Sequence, residues 1–232
     1  TKDELKIITR AGSVIENSLS IPVDLLVGTA NRGKITEIRE LLFDLPLVLS
    51  TLDLFPEIQT ADETGKTYEE NAVLKAKAYA HQSGLWVLAD DSGLEVDALG
   101  GGPGVFSARY AGDGASDSRR VSFLLQQLSR TPGKDRGARF ISVVVIADSA
   151  SNVLNIEKGV CEGTIASAPR GSNGFGYDPV FVPQGYEATF AELPPETKNA
   201  ISHRAKALTA TRHFLARMTT RPVASKQNLL LR

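Results

Sequence analysis

Three stretches of this chain carry residue types and spacings suited to chemistry. Gly28-Thr29-Ala30-Asn31-Arg32-Gly33-Lys34 fits G-x-x-x-x-G-K and stands between the apolar run 23–27 and a helical pattern. Backbone N–H groups at such a helix start cradle phosphate, and Lys34 adds a point charge. A P-loop, however, needs Ser or Thr next to hold Mg²⁺, and this chain has Ile35. The run Val143 to Asp148 mimics the second P-loop strand, but apolar runs ending in Asp are too common to restore that reading. The expectation is a phosphate-binding turn outside a P-loop fold, with a plain helix-capping turn as the simpler alternative.

The second stretch is Asp90-Asp91-Ser92-Gly93, directly after the apolar run Trp86-Val87-Leu88-Ala89. Open α/β sheets place ligand sites at such carboxyl ends. A hydrolase acting on a polyphosphate needs Mg²⁺ and a base, and Mg²⁺ takes carboxylate oxygens. Asp90-Asp91-Ser92-Gly93 reads as a turn that breaks the strand. Two carboxylates confined there repel, so one pKa is expected to rise unless a cation lies between them. A solvated turn is the plainer reading of these four residues taken alone. The third stretch holds Glu63, a further candidate ligand ahead of Thr67-x-x-Glu70, which has the form of a capping box.

These residues must be positioned by elements that the hydrophobic pattern outlines. A strand over 23–27 is followed by a helix from about Lys34, with Ile35, Ile38, Leu41 and Leu42 on one face and Glu37 and Glu40 off it. Pro46 ends it. The capped helix runs to about Ser83, where Gly84 supplies a stop. Leu94, Val96 and Ala98 alternate with acids, as in a half-exposed strand. A glycine-rich loop, Gly100 to Gly104, precedes a helix bearing Val121, Leu124, Leu125 and Leu128. Strands are expected over 138–147, 153–160 and 180–182, the last after a second glycine-rich loop, and a long helix over about 196–218. Strands and helices interleave without a linker, which implies one α/β domain.

The 232 residues suit one domain, and 42% hydrophobic with 23% charged residues is ordinary globular composition. Lys+Arg 26 against Asp+Glu 27 gives net charge −1, so no basic field is present to hold a nucleic acid. No apolar run approaches the ~18 residues of a spanning helix. One cysteine, Cys161, and three histidines exclude an internal disulfide and leave little for a zinc cage; a reducing, cytoplasmic compartment is expected. Residues 1–20 read as an N-terminal extension, 21–221 as the domain and 222–232 as a tail. The absence of an initiator Met suggests processing or truncation.

Six ordered blocks resemble the inosine triphosphate pyrophosphatase family, which acts on non-standard purine nucleoside triphosphates. They are Gly28 to Lys34; Glu63-Thr64-Gly65-x-Thr67-Tyr68-x-x-Asn71-Ala72; Ala89-Asp90-Asp91-Ser92-Gly93-Leu94-x-Val96-Asp97-Ala98-Leu99; Gly102-Pro103-Gly104-x-x-Ser107-Ala108-Arg109-Tyr110; Ser172-Asn173-Gly174-Phe175-Gly176-Tyr177-Asp178-Pro179; and Lys198-Asn199-Ala200-Ile201-Ser202-His203-Arg204. They follow the family's order and spacing from about Val23 to Met218. Ala30 departs from the usual Gly or Asn but stays small.

The resemblance implies an elongated, two-lobed α/β fold, with a long mixed β-sheet flanked by helices and the active site in the cleft between lobes, in a homodimer. It implies Mg²⁺-dependent attack of water on the α-phosphorus of ITP, dITP or XTP, releasing the nucleoside monophosphate and pyrophosphate. By the same likeness Thr29, Ala30, Asn31, Arg32, Gly33 and Lys34 would bind the triphosphate, with Lys75 adding charge. Glu63 and Asp91 would hold Mg²⁺ beside Asp90, Asp91 also serving as proton acceptor. Phe175, with Gly176 and Tyr177 beside it, would stack on the base. Asp178, Lys198, Ser202, His203 and Arg204 would read its edge, assisted by Ser92. A phenylalanine between two glycines suits a stacking platform better than a core position, and a guanidinium suits a purine O6/N7 edge. Two rival readings remain at this point: a P-loop-like NTPase releasing orthophosphate, which Ile35 opposes, and a nucleotide sensor without turnover, which the intact acids oppose.

Overall fold

The computed structural model describes residues 22–131 and 135–219. The expected extension and tail lie outside them. Along the chain come β1 (Val23–Val27), α1 (Arg32–Leu42), β2 (Leu47–Thr51), α2 (Tyr68–Ser83), β3 (Trp86–Val96), α3 (Asp117–Ser129), β4 (Gly137–Ala147), β5 (Val153–Ile165), β6 (Phe181–Pro183), α4 (Pro195–Ile201) and α5 (His203–Thr219). One mixed sheet has the order β2-β1-β3-β4-β5-β6. β1 is parallel to both β2 and β3, and the remaining pairs are antiparallel.

Helices cover both faces. On one, Ala72, Ala76 and Tyr79 of α2 pack on Val87, Ala89, Val143 and Val145. On the other, Ile38 and Leu42 of α1 and Leu208 and Leu215 of α5 pack on Leu25, Leu88, Val144 and Ile146. A third core, where Leu94, Phe140, Phe181 and Phe190 meet α3, forms the second lobe at the far ends of β3 and β4. The mixed, helix-flanked, two-lobed α/β architecture is therefore as expected.

Several local readings need correction. Asp90-Asp91-Ser92-Gly93 is no turn: β3 runs unbroken through it, paired with β4 from Val87↔Ala147 to Val96↔Ala138. Burial favours completing that ladder over leaving its amides unpaired. β2 was not expected, because Leu47–Thr51 follows Pro46 with little alternation. The last helix is two, since Ser202 is extended (φ −67°, ψ 159°) and its hydroxyl accepts from Ala205 N at 3.1 Å, capping α5. Glu37 is buried with Ile38 rather than solvated. The capped start of α2 holds: Thr67 accepts from Glu70 N, while the Glu70 carboxylate reaches Lys66 N at 2.6 Å. Gly84 closes α2 at φ 67°.

Candidate active site

β1 pairs with β3 only as far as Val27↔Leu88, and the chain then leaves through Gly28, whose N–H bonds Leu88 O at 2.7 Å. Between that point and the bridge Glu95↔Pro103, β3 pairs with β4 alone, and its other edge there opens into a cleft of about 310 Å³ between the lobes. Side chains alternate along a strand. Asp91 therefore lies on the α2 face, while Asp90 and Ser92 lie on the α1/α5 face. Because the edge is open, both faces border one cavity.

On the α2 face Lys75 Nζ lies 2.8 Å from Asp91 Oδ1 and 3.2 Å from Glu63 Oε1. Asn71, one helical turn earlier, accepts from Gly65 N at 2.8 Å and fixes the loop that carries Glu63. Burial pushes the Asp91 carboxyl above its ordinary range, and the Lys75 ammonium only partly offsets this. Asp91 Oδ2 is buried without a hydrogen-bond partner.

On the opposite face, Arg204 of α5 is buried among acids. Its Nε bonds Asp90 Oδ2 at 2.6 Å, its Nη2 bonds Ser92 Oγ at 2.9 Å, and its Nη1 bonds Glu37. Lys198 joins Glu37, at 2.8 Å, to Asp178, at 2.5 Å. Lys34 approaches Asp90 at 3.5 Å. Burial alone would raise the Asp90 pKa, but Arg204 and Lys34 hold the carboxyl far below the usual range. Of the two neighbouring aspartates one is raised, but by its own burial and not by repulsion from the other, because they lie on opposite faces of the strand. Burial pushes the His203 imidazole well below its ordinary value, and its ring stacks on Phe140 at 4.6 Å.

The cleft gathers Thr29, Ala30, Asn31, Lys34, Glu63, Lys75, Asp91, Ser92, Phe175, Gly176, Tyr177, Asp178, Lys198, His203 and Arg204. Asn31 caps α1 through Lys34 N at 3.1 Å, leaving the turn before it facing the cavity. Not all of the expected residues are free to bind there. Arg32 lines an adjoining groove of about 630 Å³. Ser202 is a helix cap. Tyr177 donates to Ser107 O at 2.9 Å, and Gly176 N–H bonds Asp117 Oδ2 at 2.7 Å, so both build the wall. Three of the five N–H donors of Arg204 are committed to the protein before any base arrives.

Asp90, turned to the other face, is not grouped with Glu63 and Asp91 as a ligand set. Among the described residues no three acids or histidines surround one point. The remaining pair nevertheless fits Mg²⁺, because two carboxylates converge beside an orphaned oxygen, and this ion commonly takes one or two carboxylates plus substrate phosphate oxygens. Sequence reasoning missed Glu37 and gave Asn71, which stands in the second block, no role of its own. Glu37 stands three residues after Lys34 and next to Ile38, a position at the edge of the apolar stripe that could have revealed it.

Comparison with known proteins bears on the family and the fold. The Ham1 family model matches residues 25–214. The chain belongs to the Ham1 family. A protein of Oceanobacillus iheyensis named dITP/XTP pyrophosphatase is 46% identical over 186 residues, covering 79% of this chain and 93% of that protein. One from Geobacter sulfurreducens, of the same name, is 46% identical over 191 residues, covering 82% and 96%. A HAM1 protein structure from Coxiella burnetii superposes with TM-score 0.77 at 43% identity, covering 84% of this chain and 99% of that one.

Proposed function

We propose that this Ham1 protein hydrolyses dITP, XTP and ITP to the nucleoside monophosphate and pyrophosphate, clearing them from the nucleotide pool. The observation that carries this reading is the Lys75-linked pair Glu63 and Asp91, with Asp91 Oδ2 unpartnered at the cleft and a phosphate-type turn opposite. Relatives bearing the name dITP/XTP pyrophosphatase support the substrate class.

The turn Thr29 to Asn31 and Lys34 receive the outer phosphates, and Lys75 adds charge toward the α-phosphate. Glu63 and Asp91 would hold Mg²⁺, which when bound neutralises the phosphate oxygens. Asp91 Oδ2 accepts a proton from water as its oxygen bonds the α-phosphorus. The bond from that phosphorus to the bridging oxygen breaks, and the electron pair leaves with pyrophosphate. A carboxyl raised by burial suits this role, because a base closer to neutrality accepts the proton more readily. Phe175 supplies a π-face for the base.

ITP with Mg²⁺ should give IMP and pyrophosphate, and a chelator should abolish turnover; IDP with orthophosphate would overturn the assignment. The single cysteine and the family resemblance support a cytoplasmic homodimer, which sedimentation and cell fractionation test.

A further inference from the structure

Gly33 stands where a phosphate-binding turn would want close backbone approach, yet its surroundings give a different reason for glycine. Its φ is ordinary, so no left-handed conformation demands it. A methyl built on its Cα would lie 2.7 Å from both Cγ and Cε1 of Phe175, and nearer still to Cδ1. Phe175 is thus seated on the bare backbone of the second residue of α1. The ring is held by two cations and by the bonds of its own loop. Lys198 Nζ lies 4.8 Å and the Arg204 guanidinium carbon 5.6 Å from its centroid. Its N–H is bonded to Asp178 Oδ2 at 2.8 Å, and the next N–H, of Gly176, is tied to Asp117.

We propose that Gly33 is a positioning residue for base recognition: it seats the Phe175 ring and thereby fixes the base platform relative to the phosphate turn. This rests on reading the cleft as a purine triphosphate site. Residues 29–31 and Lys34 would then serve the phosphates, while Gly33, between them, serves the base.

The test is Gly33→Ala, read by calorimetric binding of two probes, IMP and base-free tripolyphosphate, both in Mg²⁺. Alanine is the better helix former, so α1 is not weakened. IMP affinity should fall about tenfold, the scale of one displaced stacking partner, with tripolyphosphate affinity unchanged within about twofold on the same scale. In a Phe175→Ala background Gly33→Ala should cost IMP nothing further, because the clash is gone. Equal losses for both probes, an undiminished effect without the Phe175 ring, or no effect on IMP would overturn the proposal. If Gly33→Ala does not fold, Phe175→Leu supplies the second reading: Gly33→Ala on that smaller side chain should fold and bind IMP no more weakly than Phe175→Leu alone, and failure to do so also overturns the proposal. Wild-type protein that binds neither probe would instead overturn the functional reading itself.

Discussion

Asp90 and Asp91 are neighbours with opposite fates, and the strand's alternation decides both. Asp90 is held ionised by Arg204 and Lys34 and has no spare role as a proton acceptor. Asp91 keeps one oxygen free. Asp91→Asn should therefore lower turnover by about 10²-fold or more, the scale of a positioned base, with circular dichroism unchanged; a rate near wild type would remove it from the reaction. Arg204→Ala should act differently. It leaves Glu37 with Lys198 alone and Asp90 with Lys34 at 3.5 Å, and breaking a buried pair costs about 3–5 kcal/mol. The expected outcome is a large fall in melting temperature with loss on every nucleotide alike, rather than a selective loss on ITP.

At the scale of elements, the two ends of α2 and the apolar stripes were legible, because each depends on residues within one or two turns. Thr67, Gly84 and the stripe through Ile38 and Leu42 were readable for that reason. The site residues were legible as types but not as an arrangement. Adjacent glycine, serine and two aspartates have the composition of a turn, and only the ladder to β4 makes them strand. Ser202 looked like part of a base-reading cluster because it precedes His203 and Arg204, whereas its hydroxyl is spent on starting α5. Ser202→Ala should cost about 1 kcal/mol in denaturant unfolding, the usual value of a lost cap, with substrate selectivity unchanged. Glu37 escaped notice because its partners, Arg204 and Lys198, lie far along the chain.

Across the whole molecule, those distant ion pairs join α1, α4 and α5 over one face of the sheet, and they set the acid stability. Burial would raise the Glu37 carboxyl, but Arg204 and Lys198 hold it below its ordinary value. A depressed folded pKa contributes stability that is full above the unfolded value and is lost as pH falls through the folded one. Glu37→Gln should therefore be less stable at pH 7, by about 3 kcal/mol as for a broken buried pair. The gap to wild type should close as pH drops through the carboxylate range. Melting curves from pH 7 to 3 measure it. The unbroken run of β3 also constrains how this chain can vary over generations. Replacing a side chain in 87–93 alters one contact, but losing or gaining a single codon there exchanges the two faces: the partner of Arg204 would meet Lys75, and the partner of Lys75 would meet Arg204. This stretch should tolerate some spelling changes and no change of length, so natural insertions should fall in loops such as the one between α3 and β4.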